Sequence, residues 1–282
     1  MDTQDLTSAI DDAIDNGLDW LNTYGGDVFD AIRLVLDGLF EAIAWALLAP
    51  PFYVTALLVG ALGWWAVSRR FGVAAALGLA FCAVMGLWPE TMQTLALVLA
   101  ASALALLIAI PLGIVAGFYP RLNAALLPVL DMIQTLPPYI YLLPAVALMG
   151  FGPATALAAT VVVAIPPALR LTAHGIRLTP LNFLELGQAN GSSSAQMFVK
   201  IRLPFAMPSI MAGVNQCLMM AFGMVVIAGI VGSGGLGATI YDAVRTLQIG
   251  KSIDAAIAIV ILTMILDRIT EGAVKDEREA AA

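Results

Sequence analysis

His174 is the only histidine in the 282-residue chain, and it stands in RLTAHGIR, residues 170–177, with no carboxylate or cysteine nearby. A metal site or a nucleophilic triad needs such neighbours, so His174 reads as a solvated or headgroup-facing side chain. Gly232, Gly234 and Gly237 match the G-x-G-x-x-G spacing of a dinucleotide cradle, but they follow an apolar run and belong to no strand–helix–strand unit. Gly250, Lys251 and Ser252 resemble the end of a phosphate loop, yet Arg245 stands where the first glycine of that loop is required. The chain is not expected to bind ATP itself. Cys82 and Cys217 each lie within an apolar run and read as buried small hydrophobes, not as a disulfide or zinc pair.

The elements that would carry any chemistry lie in a membrane. Hydrophobic residues make up 61% of the chain and charged residues 12%, with a mean hydropathy of +0.93. Soluble domains carry about 25% charged residues, so the charge is too sparse to cover a water-facing surface. Apolar runs place spans at 44–68, 71–88, 94–118, 129–148, 154–169 and 210–231, with a shorter one ending at Leu266. An all-α integral membrane protein of about seven helices is expected, with no room for a large soluble catalytic domain. No internal repeat is visible, so any two-fold pathway has to come from dimerisation. Pro111, Pro137, Pro138, Pro144, Pro166 and Pro167 are expected to break or kink the middle helices where protein or water satisfies the freed carbonyls.

Charge is uneven. Residues 1–41 hold ten of the twenty acids and a single base, Arg33. This segment, taken as 1–43, is expected to form acidic amphipathic helices on the outer membrane face, since several of Leu18, Leu21, Phe29, Ile32, Val35, Leu36, Leu39 and Phe40 recur at helical steps. Two accessory spans follow in 44–90, then a core in 91–270 and a short cytoplasmic tail in 271–282. With the amino terminus outside, ten of the thirteen bases fall in cytoplasmic segments, which favours an N-out, C-in chain in a bacterial inner membrane. The indoles of Trp45, Trp64, Trp65 and Trp88 sit near span ends, at headgroup level.

The longest inner connection, about 170–206, is the most informative segment. Leu181, Leu184, Leu186 and Ala189 give a first helix a partly apolar face, Gly191 permits a turn with positive φ, and Ser193 with Gln196 can form a capping box for a second helix. Ile201, Arg202, Leu203 and Pro204 then lead into the next span. A compact, partly apolar helical pair projecting into the cytosol is expected to dock into a partner's groove.

Glu185, the glycine six residues on at Gly191, and the Ile201-x-Leu203-Pro204 ending resemble the EAA motif of bacterial binding-protein-dependent ABC importer permeases. Over roughly residues 85–270 the chain is similar to the permease subunit of glycine betaine/proline importers, most closely in 126–144 and 203–237. It departs at Leu186 and Gly187, where the motif has two alanines. The resemblance implies a pore subunit that is no enzyme, that works as a homodimer, and that is fed by an extracytoplasmic solute-binding protein. Two cytoplasmic ATPase subunits would hold the ATP and Mg²⁺, and no nucleic acid is involved. Glu185, Gly187, Gly191, Ser192, Ser193, Ser194, Ala195, Gln196, Ile201, Leu203 and Pro204 would then form the ATPase-coupling loop. Glu185 is expected to fix the loop by capping or by pairing with Arg177 or Lys200.

The cargo implied is glycine betaine, proline, choline or a related compatible solute. Quaternary amines bind aromatic faces, but no tryptophan occurs after Trp88, so specificity is expected to reside mainly in the binding protein. Tyr139, Tyr141, Asn215, Gln216, Met219, Met220 and Met224 are the candidates for lining a passage. Asp131 in a span requires a partner or a polar cavity, and Arg121 is the expected partner. The competing reading is an ion-coupled secondary carrier, which needs more membrane-embedded ionisable residues than are seen.

Overall fold

A computed structural model describes residues 3–280, with side chains described for 12–272; the side chains of Lys275 and Arg278, counted above among the cytoplasmic bases, lie outside that range. All regular structure among the described residues is helical. The elements are α1 (Thr3–Leu48), α2 (Phe52–Ala66), α3 (Arg69–Val84), α4 (Trp88–Phe118), α5 (Pro120–Thr135), α6 (Tyr139–Met149), α7 (Pro153–Arg177), α8 (Leu181–Ala189), α9 (Ser194–Met197), α10 (Leu203–Ala228), α11 (Gly235–Arg245) and α12 (Ile249–Ala280). A π-helical turn at Phe198–Arg202 joins α9 to α10, and a 3-10 turn at Gly229–Val231 ends α10.

Four helical stretches are long and apolar enough to cross a bilayer: Trp88–Phe118, Pro153–Arg177, Ser194–Val231 and Ile249–Gly272. Two of the expected spans are broken instead. The run 44–68 bends by 97° between α1 and α2, and 129–148 bends by 96° between α5 and α6. Four of the seven expected runs therefore lie in helices long and apolar enough to cross alone, two more do so only as bent pairs, and the run 71–88 is carried by the 16-residue α3. The breaks fall at Pro50–Pro51 and Pro137–Pro138, where the missing N–H groups and fixed φ interrupt the helical ladder. Pro111, Pro144, Pro166 and Pro167 lie inside helices that continue through them. The last span, expected to end at Leu266, belongs to one helix that begins at Ile249 and so includes Lys251 and Asp254.

The core is α7 packed between α4 and α10. Small residues allow this: a Cβ on Gly113 or Gly117 of α4 would come within 2.7 Å of Thr172 or Ile176 on α7. On the other side, a Cβ on Gly175 would come within 2.7 Å of Ser209 on α10. Ala100, Ala101, Ala105, Ala109, Ala164, Ala168 and Ala221 are almost wholly buried along the same seams. In lipid, where apolar burial gives little drive, such close backbone approach maximises packing and holds helices together.

α1 is a single 46-residue helix with no break at residue 43. Its second half lies across the first turns of α4 and α7: Asp37 Oδ1 accepts from the Ala154 amide of α7 at 2.9 Å, and Phe52, just past its end, meets the Trp88 ring at 6.1 Å. The carboxylate thereby satisfies an orphan donor at the positive end of α7. The glycine string 232–237 is also structural. Gly235 and Leu236 amides at the start of α11 donate to Gln93 Oε1 and Thr94 Oγ1 of α4, at 2.9 and 2.8 Å, and a Cβ on Gly237 would collide with the Val225 carbonyl.

Candidate functional site

Residues 178–202 connect α7 to α10 at the end of the bundle away from Trp88. α8 closes with a Schellman motif: the Gly191 amide donates to Gln188 O at 2.9 Å and the Ser192 amide to Gly187 O at 3.0 Å. Gly191 takes φ +71°, the left-handed conformation that a Cβ disfavours. One residue later Ser193 opens α9 with a full capping box, its Oγ accepting from the Gln196 amide at 3.3 Å and its amide donating to Gln196 Oε1 at 2.9 Å. Two helix ends are thus satisfied within six residues, and the knuckle between them is sharp without long-range support.

Gly187 is the buried residue of α8. An added Cβ would sit 2.7 Å from Ile201 Cδ1 and 2.9 Å from Met197 Sδ, so the glycine is what lets α8 lie against α9 and the π turn. The Phe183 and Phe205 rings, 4.8 Å apart, tie α8 to the start of α10. Phe198 packs on Phe118 at 5.8 Å, and Arg202 lies 4.9 Å over the same Phe118 ring. The outer surface is left bare: Leu181, Leu186 and Val199 are 74%, 59% and 57% exposed. Ser194, Ala195, Gln196 and Pro204 are exposed as well, while Ser192, Ile201 and Leu203 are half-buried.

Glu185 departs from expectation. It is exposed and makes no hydrogen bond or ion pair among the described residues. Arg177 is engaged elsewhere, its Nη2 donating to Asn123 Oδ1 of α5 at 3.2 Å. Asp131 likewise pairs not with Arg121 but with Arg170 of α7, at 2.6 Å. Ten residues along one helix separate side chains by about 15 Å, too far for a contact within α5.

The candidate pathway residues do not form one cluster. Tyr139 is exposed and lines an apolar cavity of about 270 Å³ with Leu143, Phe151 and Val231. Tyr141 donates its hydroxyl to Ile133 O at 3.0 Å, bracing the bend between α5 and α6. Gln216 and Met219 share an exposed face of α10, whereas Met220 packs on the core and Met224 is buried within it. Asn215 turns to α12: its Nδ2 donates to Asp267 Oδ1 at 3.0 Å and its Oδ1 accepts from Thr270 Oγ1 at 3.2 Å. Asp267 and Thr270 were not singled out from sequence, although a carboxylate directly after the apolar run ending at Leu266, three residues before a threonine, is the signal that could have marked them.

Comparison with known proteins decides the class. Residues 109–275 match the family of binding-protein-dependent transport system inner membrane components. The chain belongs to that family. It is 37% identical over 260 residues to the glycine betaine transport system permease protein OpuAB of Bacillus subtilis (strain 168), covering 92% of each. It is 38% identical over 269 residues to the glycine betaine/proline betaine transport system permease protein ProW of Escherichia coli (strain K12), covering 95% of this chain and 76% of that one. A chain of the MetNI methionine ABC transporter, solved in an inward-facing conformation, superposes with TM-score 0.56 at 22% identity, over 70% of this chain and 96% of that one. The fold is therefore that of an ABC importer permease, a transport subunit and not an enzyme, and the ion-coupled carrier reading has no support.

Proposed function

We propose that the chain is the pore subunit of an ATP-driven importer for glycine betaine or a related compatible solute such as proline or choline. The observation that carries this is the capped knuckle at 181–202, which presents Leu181, Leu186 and Val199 to the outside at the joint between α7 and α10. Apolar side chains held bare by a self-sufficient local fold suit a groove on a partner. Two ATPase subunits, each binding ATP and Mg²⁺, receive the knuckles, and their closure changes which side of the pore is open. A solute-binding protein delivers cargo at the other end. The relatives named above are permeases for glycine betaine and proline betaine, which supports the cargo class.

Two copies of the chain make the path, because one copy supplies one set of core helices and no repeat. The site residues proposed for coupling are Glu185, Gly187, Gly191, Ser192–Gln196, Ile201, Leu203 and Pro204. The knuckle faces the cytoplasm, with the amino terminus outside, which places ten of thirteen bases on the inner side. The test is reconstitution with the ATPase and the binding protein, followed by uptake of radiolabelled glycine betaine, proline and choline. ATP-dependent accumulation of glycine betaine is expected. Uptake by the chain alone, driven by an ion gradient, would overturn the proposal.

A further inference from the structure

α5 lies along α7 over the half of the bundle nearest the knuckle, and polar contacts hold it there. Of its side chains only Asn123 and Leu130 are buried, with Leu126 packed beside Leu130 on the core, so apolar packing retains it along one narrow stripe. Both of its polar contacts to α7 are made by guanidinium groups. Arg177 Nη2 donates to Asn123 Oδ1 at 3.2 Å, and Arg170 Nη2 to Asp131 Oδ1 at 2.6 Å. Arg170 and Arg177 are two turns apart on α7, about 10 Å, while Asn123 and Asp131 are about 12 Å apart on α5, so the two rungs match between antiparallel helices.

The rungs continue a chain of contacts that begins in the knuckle. Arg202, at the end of the π turn, donates to Ile176 O at 3.4 Å, and Thr179 Oγ1 donates to the same carbonyl at 3.1 Å. The next residue is Arg177, whose head grips α5. Two turns back along α7, Arg170 is committed to Asp131; its Nε is buried and without a partner, so the ion pair is the main hold on that guanidinium. α5 then passes through the 96° bend into α6 and Tyr139. The Arg170 and Asp131 side chains are 31% and 61% exposed; such a pair is worth little in water, whereas in a membrane ionisable side chains are stable only when paired or facing a polar cavity.

We propose that Arg170 and Arg177 form a two-rung clamp that makes α5 move with α7, so that displacement of the knuckle reaches the bent α5–α6 arm. Both arginines, with Asp131 and Asn123, are positioning residues of the transport cycle. The proposal rests on reading 181–202 as the coupling knuckle. The clamp stays closed while α7 moves; it is not a gate that opens.

The test uses the full importer in liposomes and compares R170Q, D131N, the charge-swapped R170D/D131R pair and G191V. Each single clamp variant is expected to lose about tenfold in solute imported per ATP hydrolysed, a coupling change of ordinary allosteric size, while hydrolysis continues. The charge-swapped pair is expected to regain most of that loss. Amide exchange across residues 121–135 is expected to rise in R170Q, a readout independent of transport, and N123A serves as a milder probe if R170Q fails to fold. Joining D131C and R170C by a flexible thiol crosslinker, with Cys82 and Cys217 changed to Ala, is expected to restore the uptake that the uncrosslinked double variant lacks. Uptake abolished by the crosslink and restored by cleaving it would overturn the clamp. Normal coupling and exchange in R170Q beside an uncoupled G191V would remove the clamp alone; normal coupling in G191V would remove the knuckle reading and the clamp with it.

Discussion

The seams of α7 and the knuckle that follows it are stabilised in opposite ways. Along α4, α7 and α10 the chain is held by contacts between residues far apart in sequence, made possible by glycines and alanines that bring backbones together. In 187–196 the hydrogen bonds that set the shape span five residues or fewer, and of the apolar side chains flanking them Leu181, Leu186 and Val199 stay exposed while Met197, Phe198 and Ile201 turn inward. A seam of the first kind is rigid because any added carbon must displace a neighbouring helix. A knuckle of the second kind keeps its shape while committing only Phe198 and its neighbours to the core, which leaves Leu181, Leu186 and Val199 for a partner.

The strongest way to break this contrast is Gly117→Leu. The first added carbon would lie 2.7 Å from Ile176 Cβ, at a seam with no flexible side-chain tip to yield. Overpacking of this kind costs about 1–3 kcal/mol or more, so the thermal midpoint in detergent is expected to fall by several degrees and the yield of monodisperse protein with it. A variant as stable as the parent would show that the seam is not close-packed.

Gly191→Val is the matching change in the knuckle. Placing a β-branched residue at φ +71° costs about 1–2 kcal/mol, but the cost falls on a turn that nothing else leans on. Membrane insertion and the thermal midpoint are expected to stay near those of the parent, while ATP-dependent uptake falls about tenfold with ATP hydrolysis persisting. Uptake at the parental rate would sink the turn's coupling role. Leu186→Asp sharpens the point further, since the side chain is 59% exposed and makes no core contact. It is expected to leave stability unchanged and weaken co-purification of the ATPase about tenfold, the scale of a modest interface contact; undiminished co-purification would move the docking face elsewhere.

The same contrast explains what could be read from sequence. The knuckle was legible because caps are local: Gly191 and the pair Ser193 and Gln196 carry their meaning in a few adjacent residues. The apolar core was legible as composition and the break at Pro137–Pro138 as a proline pair, but the break at Pro50–Pro51 was not. Hydropathy counts carbon and is blind to a bend, so 44–68 and 129–148 read as single spans although each is broken at a proline pair. Polar partners across helices were illegible for the reason that made Arg121 a poor choice for Asp131. Arg170 lies 39 residues away in sequence, and only the antiparallel docking of α5 on α7 brings it to 2.6 Å. Asn215 points to α12 for the same reason, its partners Asp267 and Thr270 being more than fifty residues distant.

Ser193→Ala has a smaller expected effect. It removes one bond of the capping box and costs about 1 kcal/mol of local helix stability, seen as faster amide exchange in 194–197 with the thermal midpoint of the bundle unmoved. A fall in the midpoint would mean that the knuckle supports the seams after all.

Glu185→Gln is expected to do least to the protein itself. The side chain is exposed and has no partner among the described residues, so its charge stabilises nothing within the subunit. Surface changes of this sort shift stability by at most about 0.5 kcal/mol, and the thermal midpoint should match the parent within error. If the carboxylate works, it works across the interface, where an ion pair with the ATPase would be screened by salt. The difference between parent and variant in ATPase binding should then be a few-fold at low ionic strength and vanish at high salt. A difference independent of salt would assign Glu185 a role in shape instead of charge, and a lowered midpoint would mean that its partner lies within the subunit.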